Sequence, residues 1–373
     1  MSKKVLIPYF LAGSGHFAIA QAIEYYLRES GKDLEIRFLE PGEEFKDKRL
    51  NDFFKQAWKL ILKMRKAPRE ILFGIDKAVP SLSSFINEQY LRTAIFKGMG
   101  FLAGYRPDLI ISTHWGCTQL FNEARKKMEM DIPLFSVFTE LAGGHKLINC
   151  GADLYFVMTD EALENLMRFD IPKEKIKRVN FIVRPQFECN KLSRKEARDR
   201  LNLPDSAFVL LFSMGGEGIG PAFQYINRFL QIFPEGKMLI LTGRNEKLTN
   251  EIKKKYQDEG ISVFPYRDDV EVLVAASDVL AGKCGGSFST EAIKTRSPFI
   301  ITQIGAPNER PNMKYIIKHN YGWYTSSPRK FARILEQIHS DRSCLESVKR
   351  NLDNVPEENG ASEIASYIIS IIL

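Results

Sequence analysis

Glycines and polar residues that could hold a phosphate-containing ligand lie between residues 282 and 312 of this chain. The apolar run 279–281 predicts a buried strand, Gly285 and Gly286 follow it, and the pattern after Ser287 is helical. A helix that begins at such a turn directs unpaired backbone N–H groups and the positive end of its dipole at one point, which suits phosphate. We predict a phosphate site there. The alternative is a plain strand-to-helix turn without a ligand.

Two further polar positions are expected near that helix start. Glu291 lies about one turn inside the helix and could accept hydrogen bonds from a ribose. Asn308 and Glu309 follow the next apolar run, 299–301. Because open α/β sheets bind ligands beyond the carboxyl ends of their strands, these groups are expected at one edge of a sheet. Together they suit a nucleotide-sugar.

The same order of strand, glycine turn and helix opens each half of the chain. The apolar run 5–10 is followed by Gly15 and His16, and the run 208–214 is followed by Gly215, Gly216 and Glu217. A length of 373 residues favours two domains over one. The sequence therefore predicts an α/β protein with two Rossmann-like domains.

Composition narrows the class of protein. The chain is 44% hydrophobic and 27% charged, and no run approaches the ~20 apolar residues of a transmembrane helix. The first residues lack the pattern of a signal peptide, so we expect a cytoplasmic protein. Five widely spaced cysteines, without a CxxC or a Cys/His cluster, indicate free thiols and no zinc site. The net charge of +7 allows nucleic acid, anionic lipid or an acidic small substrate as the partner.

Residues 46–69 are unusually basic. They contain nine basic and two acidic residues, a net charge of +7 equal to that of the whole chain. Aromatic and aliphatic residues, among them Phe54 and Trp58, recur between the basic residues at helical spacing. This pattern is typical of a helix at an anionic membrane surface, and equally of a core-facing helix with a solvated basic face. The concentration of charge in one segment argues against nucleic acid.

Several of these segments resemble one enzyme family. GGS-x-x-x-E-A from Gly285, followed by N-E-x-x-N from Asn308, is similar to the donor signature of inverting GT-B glycosyltransferases. The similar branch holds the monogalactosyldiacylglycerol synthases, the processive diacylglycerol glucosyltransferases and the peptidoglycan GlcNAc transferase. G-S-G-H-F-x-x-A-x-A around His16 and P-D-x-I-x-S-T-H from Pro107 resemble further segments of that branch.

The resemblance implies a GT-B fold, two Rossmann-like domains whose parallel sheets face each other across a cleft. We expect an acceptor and membrane-binding domain at 1–186, a nucleotide-sugar domain at 187–360, and a C-terminal helix at 361–373 that packs back on the first domain. The residues assigned to the donor are Gly15, Gly215, Gly216, Glu217, Arg244, Tyr266, Arg267, Lys283, Gly285, Gly286, Ser287, Glu291, Asn308, Glu309 and Asn312. Those assigned to the acceptor or lipid are Phe54, Trp58, Arg65, Lys66 and His145. The donor phosphates would be neutralised without a metal, and no cofactor is expected.

An inverting transfer needs a base for the acceptor hydroxyl. His16 and Glu140 are the candidates, with Glu140 raising the basicity of His16, although either residue could serve only in packing. The expected enzyme transfers a hexose or N-acetylhexosamine from a UDP-sugar to a lipid such as diacylglycerol at the inner face of the cell membrane. Other glycan or cell-envelope acceptors, a UDP-GlcNAc 2-epimerase and a non-catalytic binder are the alternatives.

Overall fold

The computed structural model of this protein describes residues 2–10, 15–47, 50, 80–144, 146–189, 192–257 and 260–373. The chain divides into two compact units. Unit 1 consists of Met1–Val183, Ala306–Asn308 and Glu358–Leu373, and unit 2 consists of Arg184–Gly305 and Glu309–Glu357. The chain leaves unit 1 after Val183, close to the boundary placed at residue 186 from the sequence.

Unit 1 is built on a parallel sheet. Its described strands are β1 (Lys3–Pro8), β2 (Leu34–Leu39), β3 (Leu109–Ser112), β4 (Leu134–Val137), β5 (Leu154–Val157) and β6 (Ile176–Arg178), in the order β2-β1-β3-β4-β5-β6. All neighbours run parallel. The described helices up to the boundary are α1 (Gly15–Glu29), α2 (Pro41–Glu44), α3 (Pro80–Tyr105), α4 (Trp115–Lys127) and α5 (Asp160–Arg168), with 3-10 turns at Lys146–Ile148 and Lys173–Lys175.

Apolar runs account for the central strands of this sheet. Val5, Leu6 and Ile7 of β1 have no exposed surface, and β3 and β4 are buried at every position. Strands covered by helices on both faces require such continuous apolar runs. Helix α1 instead buries one stripe, including Ile19 and Ile23, as its 3.6-residue period predicts.

Unit 2 repeats the architecture. Its described strands are β7 (Val209–Ser213), β8 (Lys237–Leu241), β9 (Ile261–Phe264), β10 (Val279–Lys283), β11 (Phe299–Gln303) and β12 (Gly322–Tyr324), in the parallel order β12-β11-β10-β7-β8-β9. The described helices are α6 (Gln186–Cys189), α7 (Arg194–Arg200), α8 (Ala222–Ile232), α9 (Glu246–Lys255), α10 (Val270–Ala276), α11 (Gly286–Lys294), α12 (Arg310–Lys318), α13 (Pro328–Ser340) and α14 (Ser343–Asp353). A 3-10 turn spans Pro307–Glu309, and its first two residues belong to unit 1.

The last helix, α15 (Gly360–Ile372), lies in unit 1. Its Tyr367 ring lies 5.9 Å from that of Phe135 on β4 and 5.7 Å from that of Phe156 on β5. Asn359 caps the helix by accepting from the backbone N–H of Ala361, and its amide donates to the carbonyl of Val183 at 3.0 Å. The cap therefore ties the helix to the residue at which the chain leaves unit 1.

Each sheet has one place where the strand order reverses. In unit 1 the order runs outward from the neighbours β1 and β3, and in unit 2 from the neighbours β7 and β10. Ligands of open α/β sheets bind beyond the carboxyl ends of the strands at such points. The predicted α/β class with Rossmann-like parallel sheets is confirmed, and these two points are where functional side chains should be sought.

Candidate active-site residues

Helix α11 begins where β10 ends in unit 2, at the reversal point next to β7. Gly282 adopts φ +153°, and a Cβ there would lie 2.3 Å from the carbonyl oxygen of Ser213 on β7, so only glycine fits. Gly285 is the N-cap residue, and no side chain caps the helix. The hydroxyl oxygen of Ser287, in the first turn, is buried without a hydrogen-bond partner. An anion at this helix start would meet uncapped N–H groups and a spare hydroxyl.

Lys283 and Glu309 form an ion pair beside that helix start. Lys283 Nζ contacts Glu309 Oε1, and the backbone N–H of Gly305 donates to Glu309 Oε2 at 2.8 Å. Glu309 is only 2% exposed. A Cβ on Gly285 would lie 3.3 Å from Lys283 Nζ, and one on Gly215 would lie 3.6 Å from Lys283 Cε. The structure thus brings the glycine turns after β7 and β10 together around one ammonium group.

The two asparagines predicted for the donor differ in what the structure describes. The amide of Asn312 donates to the carbonyl of Cys284 at 3.1 Å and is fully buried. This bond ties the start of α12 to the glycine turn, which is a structural role. Asn308 lies in the 3-10 turn Pro307–Glu309, and the structure describes its backbone only.

Glu291 is paired with a residue that the sequence analysis did not assign. Arg184 Nε donates to Glu291 Oε1 at 2.9 Å, and both side chains are largely buried. Burial raises the pKa of Glu291, against the opposing effect of the guanidinium, while Glu291 raises the pKa of Arg184 despite its burial. Because Arg184 uses one carboxylate oxygen, the other retains lone pairs for a ligand hydroxyl. The available signal for Arg184 was a charged residue within the mostly apolar stretch 179–187, near the boundary between the two units.

The other predicted donor residues lie after β7, β8 and β9. The backbone N–H of Arg244 donates to Gly216 at 2.9 Å, and that of Tyr266 donates to Gly243 at 2.8 Å, so the three loops are joined. The Arg244 guanidinium lies 4.7 Å from the Tyr266 ring centroid and 3.9 Å from the Glu217 carboxylate. Tyr266 is 46% exposed, which leaves its ring accessible.

Arg267, also assigned to the donor, forms an ion pair with Asp269 two residues along the same loop. Hydrogen bonds to that carboxylate raise the pKa of Arg267. The Arg267 guanidinium also lies 4.8 Å from the ring centroid of Phe264 at the end of β9, so its contacts are with its own loop and the strand that precedes it.

His16 and Gly15 form the first turn of α1 in unit 1. The Nδ1 atom of His16 lies 2.5 Å from the carbonyl oxygen of Thr113 and 3.5 Å from the Thr139 hydroxyl. A carbonyl only accepts, so Nδ1 carries the proton and Nε2 presents a lone pair. Burial lowers the pKa of His16, and the bond to Thr113 partly opposes this. A neutral imidazole with a fixed tautomer is suited to accept a proton at neutral pH.

The remaining predicted residues of the N-terminal half differ in how far they are described. Glu140 follows β4 and is half-buried, directly after Thr139, and its effect on the basicity of His16 stays a prediction. Other predicted residues lie outside the described part of the chain; they are His145, Phe54, Trp58, Arg65 and Lys66. Nearly all of the basic segment 46–69 is outside it as well.

The described residues contain neither a metal-binding cluster nor a membrane-spanning helix. No group of three or more His, Cys, Asp or Glu side chains in these ranges is arranged to hold a metal ion. Among the same residues, no helix has the length and apolar character needed to cross a membrane.

The fold is that of GT-B glycosyltransferases. The solved structure of Acinetobacter baumannii MurG superposes with a TM-score of 0.65 at 14% identity, covering 99% of both chains. Residues 16–180 match the family model for monogalactosyldiacylglycerol (MGDG) synthase. The processive diacylglycerol beta-glucosyltransferase of Staphylococcus saprophyticus is 21% identical over 360 residues, 94% of this chain and 88% of that protein. Monogalactosyldiacylglycerol synthase 3 of Arabidopsis thaliana is 24% identical over 367 residues, which span 94% of this chain and 77% of that protein. The predicted resemblance is confirmed: the chain has the GT-B fold and is similar along most of its length to glycosyltransferases of this branch.

Proposed function

We propose that this enzyme moves a hexose or an N-acetylhexosamine from a UDP-sugar to a lipid acceptor such as diacylglycerol, with inversion at the anomeric carbon. The observation that carries the proposal is the meeting of Gly215, Lys283 and Gly285 at the reversal point of the sheet in unit 2. Uncapped N–H groups and an ammonium group at one point suit a diphosphate. The names of the relatives supply the acceptor class.

The leaving diphosphate needs its charge neutralised as the glycosidic bond breaks. In unit 2 the N-terminus of α11 and Lys283 supply positive potential without a metal ion, and Arg244 adds an exposed guanidinium from the neighbouring loop. Glu291 accepts hydrogen bonds from the ribose through the oxygen that Arg184 does not use. Glu309 is held by Lys283 and Gly305, and we assign it to the sugar.

The acceptor hydroxyl needs a base, and His16 is our candidate in unit 1. Its Nε2 accepts the hydroxyl proton while the acceptor oxygen forms a bond to the anomeric carbon. The bond from that carbon to the diphosphate breaks, and UDP leaves with the electron pair. The bond from Nδ1–H to the Thr113 carbonyl keeps Nε2 as the accepting atom.

The lipid acceptor implies a membrane surface. The net charge of +7 in residues 46–69 and their aromatic residues suit the anionic cytoplasmic leaflet, at which each basic residue contributes about 1 kcal/mol. We therefore propose peripheral association with the inner face of the membrane, with no cofactor besides the donor.

The test is incubation of the purified chain with each radiolabelled UDP-sugar and vesicles that contain diacylglycerol, followed by lipid chromatography. We expect label in a glycolipid from one UDP-sugar, and NMR of the product should show the anomeric configuration opposite to that of the donor. Label in a water-soluble or cell-envelope product would refute the lipid acceptor. Conversion of UDP-GlcNAc to its 2-epimer without transfer would refute the transferase.

A further inference from the structure

His114 links β3 to α4 and is held in place from several sides. Its Nδ1 accepts the backbone N–H of Gly116 at 3.1 Å, which caps α4. Its carbonyl accepts from the Ser112 hydroxyl at 2.9 Å. Only 4% of its surface is exposed. Because Nδ1 is used as an acceptor, the neutral ring carries its proton on Nε2.

The His114 ring packs edge-on against the candidate base. Its centroid lies 4.6 Å from that of His16 at an interplanar angle of 65°. Phe10 contacts the same ring at 5.2 Å and 86°, and Trp115 stacks on it at 5.5 Å. The two histidines meet because β1 and β3 are neighbours whose carboxyl ends share one edge. A ring fixed in this way restricts rotation of the His16 imidazole about its Cβ–Cγ bond.

We propose that His114 is a positioning residue that holds the His16 ring with Nδ1–H on the Thr113 carbonyl and Nε2 directed away from it. Rotation of the His16 ring by half a turn about its Cβ–Cγ bond would put Cδ2 in the place of Nδ1, and it would break the 2.5 Å bond to Thr113 that fixes the tautomer. This inference rests on the proposed role of His16 as the base. The His16 tautomer, which NMR measures directly, does not depend on that role.

Charged and titratable groups nearby cannot account for a fixed tautomer. Those on the elements packed here include Tyr9 after β1, Cys117 on α4, Glu140 after β4, and Glu40 and Glu43, which interact electrostatically with Tyr9. A charge on any of them would shift the pKa of His16 and leave the choice between its nitrogens to hydrogen bonding and packing. A single Nδ1–H tautomer of His16 is therefore the observation that reports positioning by His114.

Two substitutions separate the packing of the His114 ring from its capping of α4. His114→Asn keeps a side-chain acceptor for the Gly116 N–H, since Asn is a preferred N-cap residue, but removes the ring. His114→Phe keeps a ring of similar size and removes the acceptor. The full chain has five histidines, so the ring nitrogens of His16 can be followed by NMR after 15N-histidine labelling and assigned with His16→Gln.

We expect one His16 tautomer, protonated at Nδ1, in the wild type and in His114→Phe, and a mixture of tautomers in His114→Asn. In His114→Asn, kcat should fall about tenfold with the KM for UDP-sugar unchanged, because the base is misoriented in part of the population. His114→Phe should melt at a lower temperature and retain kcat below that temperature.

A single Nδ1–H tautomer and wild-type kcat in His114→Asn would overturn the proposal. Equal losses of kcat in the two variants, with the tautomer unchanged in both, would overturn it in favour of a structural role. Failure of the proposed base has a different signature, because His16→Gln would then transfer sugar at the wild-type rate whatever the tautomer of His16 in the other proteins.

Discussion

Removing the charge of Glu291 should weaken both the stability of unit 2 and its affinity for UDP. The side chains of Arg184 and Glu291 are 15% and 6% exposed, so Glu291→Gln leaves a mostly buried guanidinium without its carboxylate. Breaking a buried pair by removing one partner costs about 3–5 kcal/mol. In a unit of about 170 residues each kcal/mol lowers Tm by about 2–4 °C, so we expect a loss on the order of 10 °C.

The double variant Glu291→Gln with Arg184→Met separates the two effects. It removes both charges and leaves no unpaired ion, so much of the lost stability should return. The affinity for UDP should not return, because a ribose hydroxyl would still lack the carboxylate. A hydrogen bond to a charged group contributes about 1.5–3 kcal/mol, which corresponds to about 10- to 100-fold weaker binding of UDP in both variants.

Calorimetry supplies both measurements, with scanning for the melting of unit 2 and titration for UDP. Wild-type melting in Glu291→Gln would refute the energetic argument. Recovery of UDP affinity together with stability in the double variant would show that Glu291 acts only through the fold, and the ribose assignment would then be wrong.

Three further predictions test other parts of the account. Gly285→Ala should weaken UDP binding about tenfold, because the new Cβ would obstruct the helix start. Its Tm should change little, because φ at this position is −68°. Gly104→Ala, with open space around the new Cβ, should bind UDP as the wild type does. Because burial lowers the pKa of His16, the midpoint of the acid limb of the kcat/KM profile should lie below pH 6.5, and a midpoint above 6.5 would contradict this assignment. The folded state favours the neutral ring, and the stability that this contributes should be lost as pH falls from 6.5 toward the folded pKa. Neutralising three lysines of residues 46–69 should weaken binding to anionic vesicles on the order of 100-fold, and binding that is insensitive to both substitution and salt would exclude the electrostatic role. The three lysines are Lys55, Lys59 and Lys63.

The sequence predicted the features that depend on local order along the chain. Apolar runs followed by glycine and a helical period place Gly15, Gly215 and Gly285 at strand-to-helix turns, because strand, turn and helix each have a local signature. Parallel topology follows from their alternation. The donor glycines then meet because β7 and β10 are neighbours at the reversal point of the sheet.

The sequence alone did not predict which side chains pair, because pairing depends on packing between distant segments. The pair of Lys283 with Glu309 and that of Arg184 with Glu291 join residues far apart in sequence, and no local pattern encodes either. Asn312 carries a family motif, yet its amide holds the backbone of Cys284. Near His16 the sequence suggested a carboxylate, while the described contacts come from Thr113, Thr139 and His114.

A crystal structure of the complex with UDP tests the central claim most directly. We expect the diphosphate oxygens within hydrogen-bond distance of the backbone N–H groups of Gly286 and Ser287, with the Lys283 ammonium beside them and the ribose on Glu291. Well-defined UDP bound in unit 1 alone, or in unit 2 away from the start of α11, would contradict the donor site and the reaction built on it.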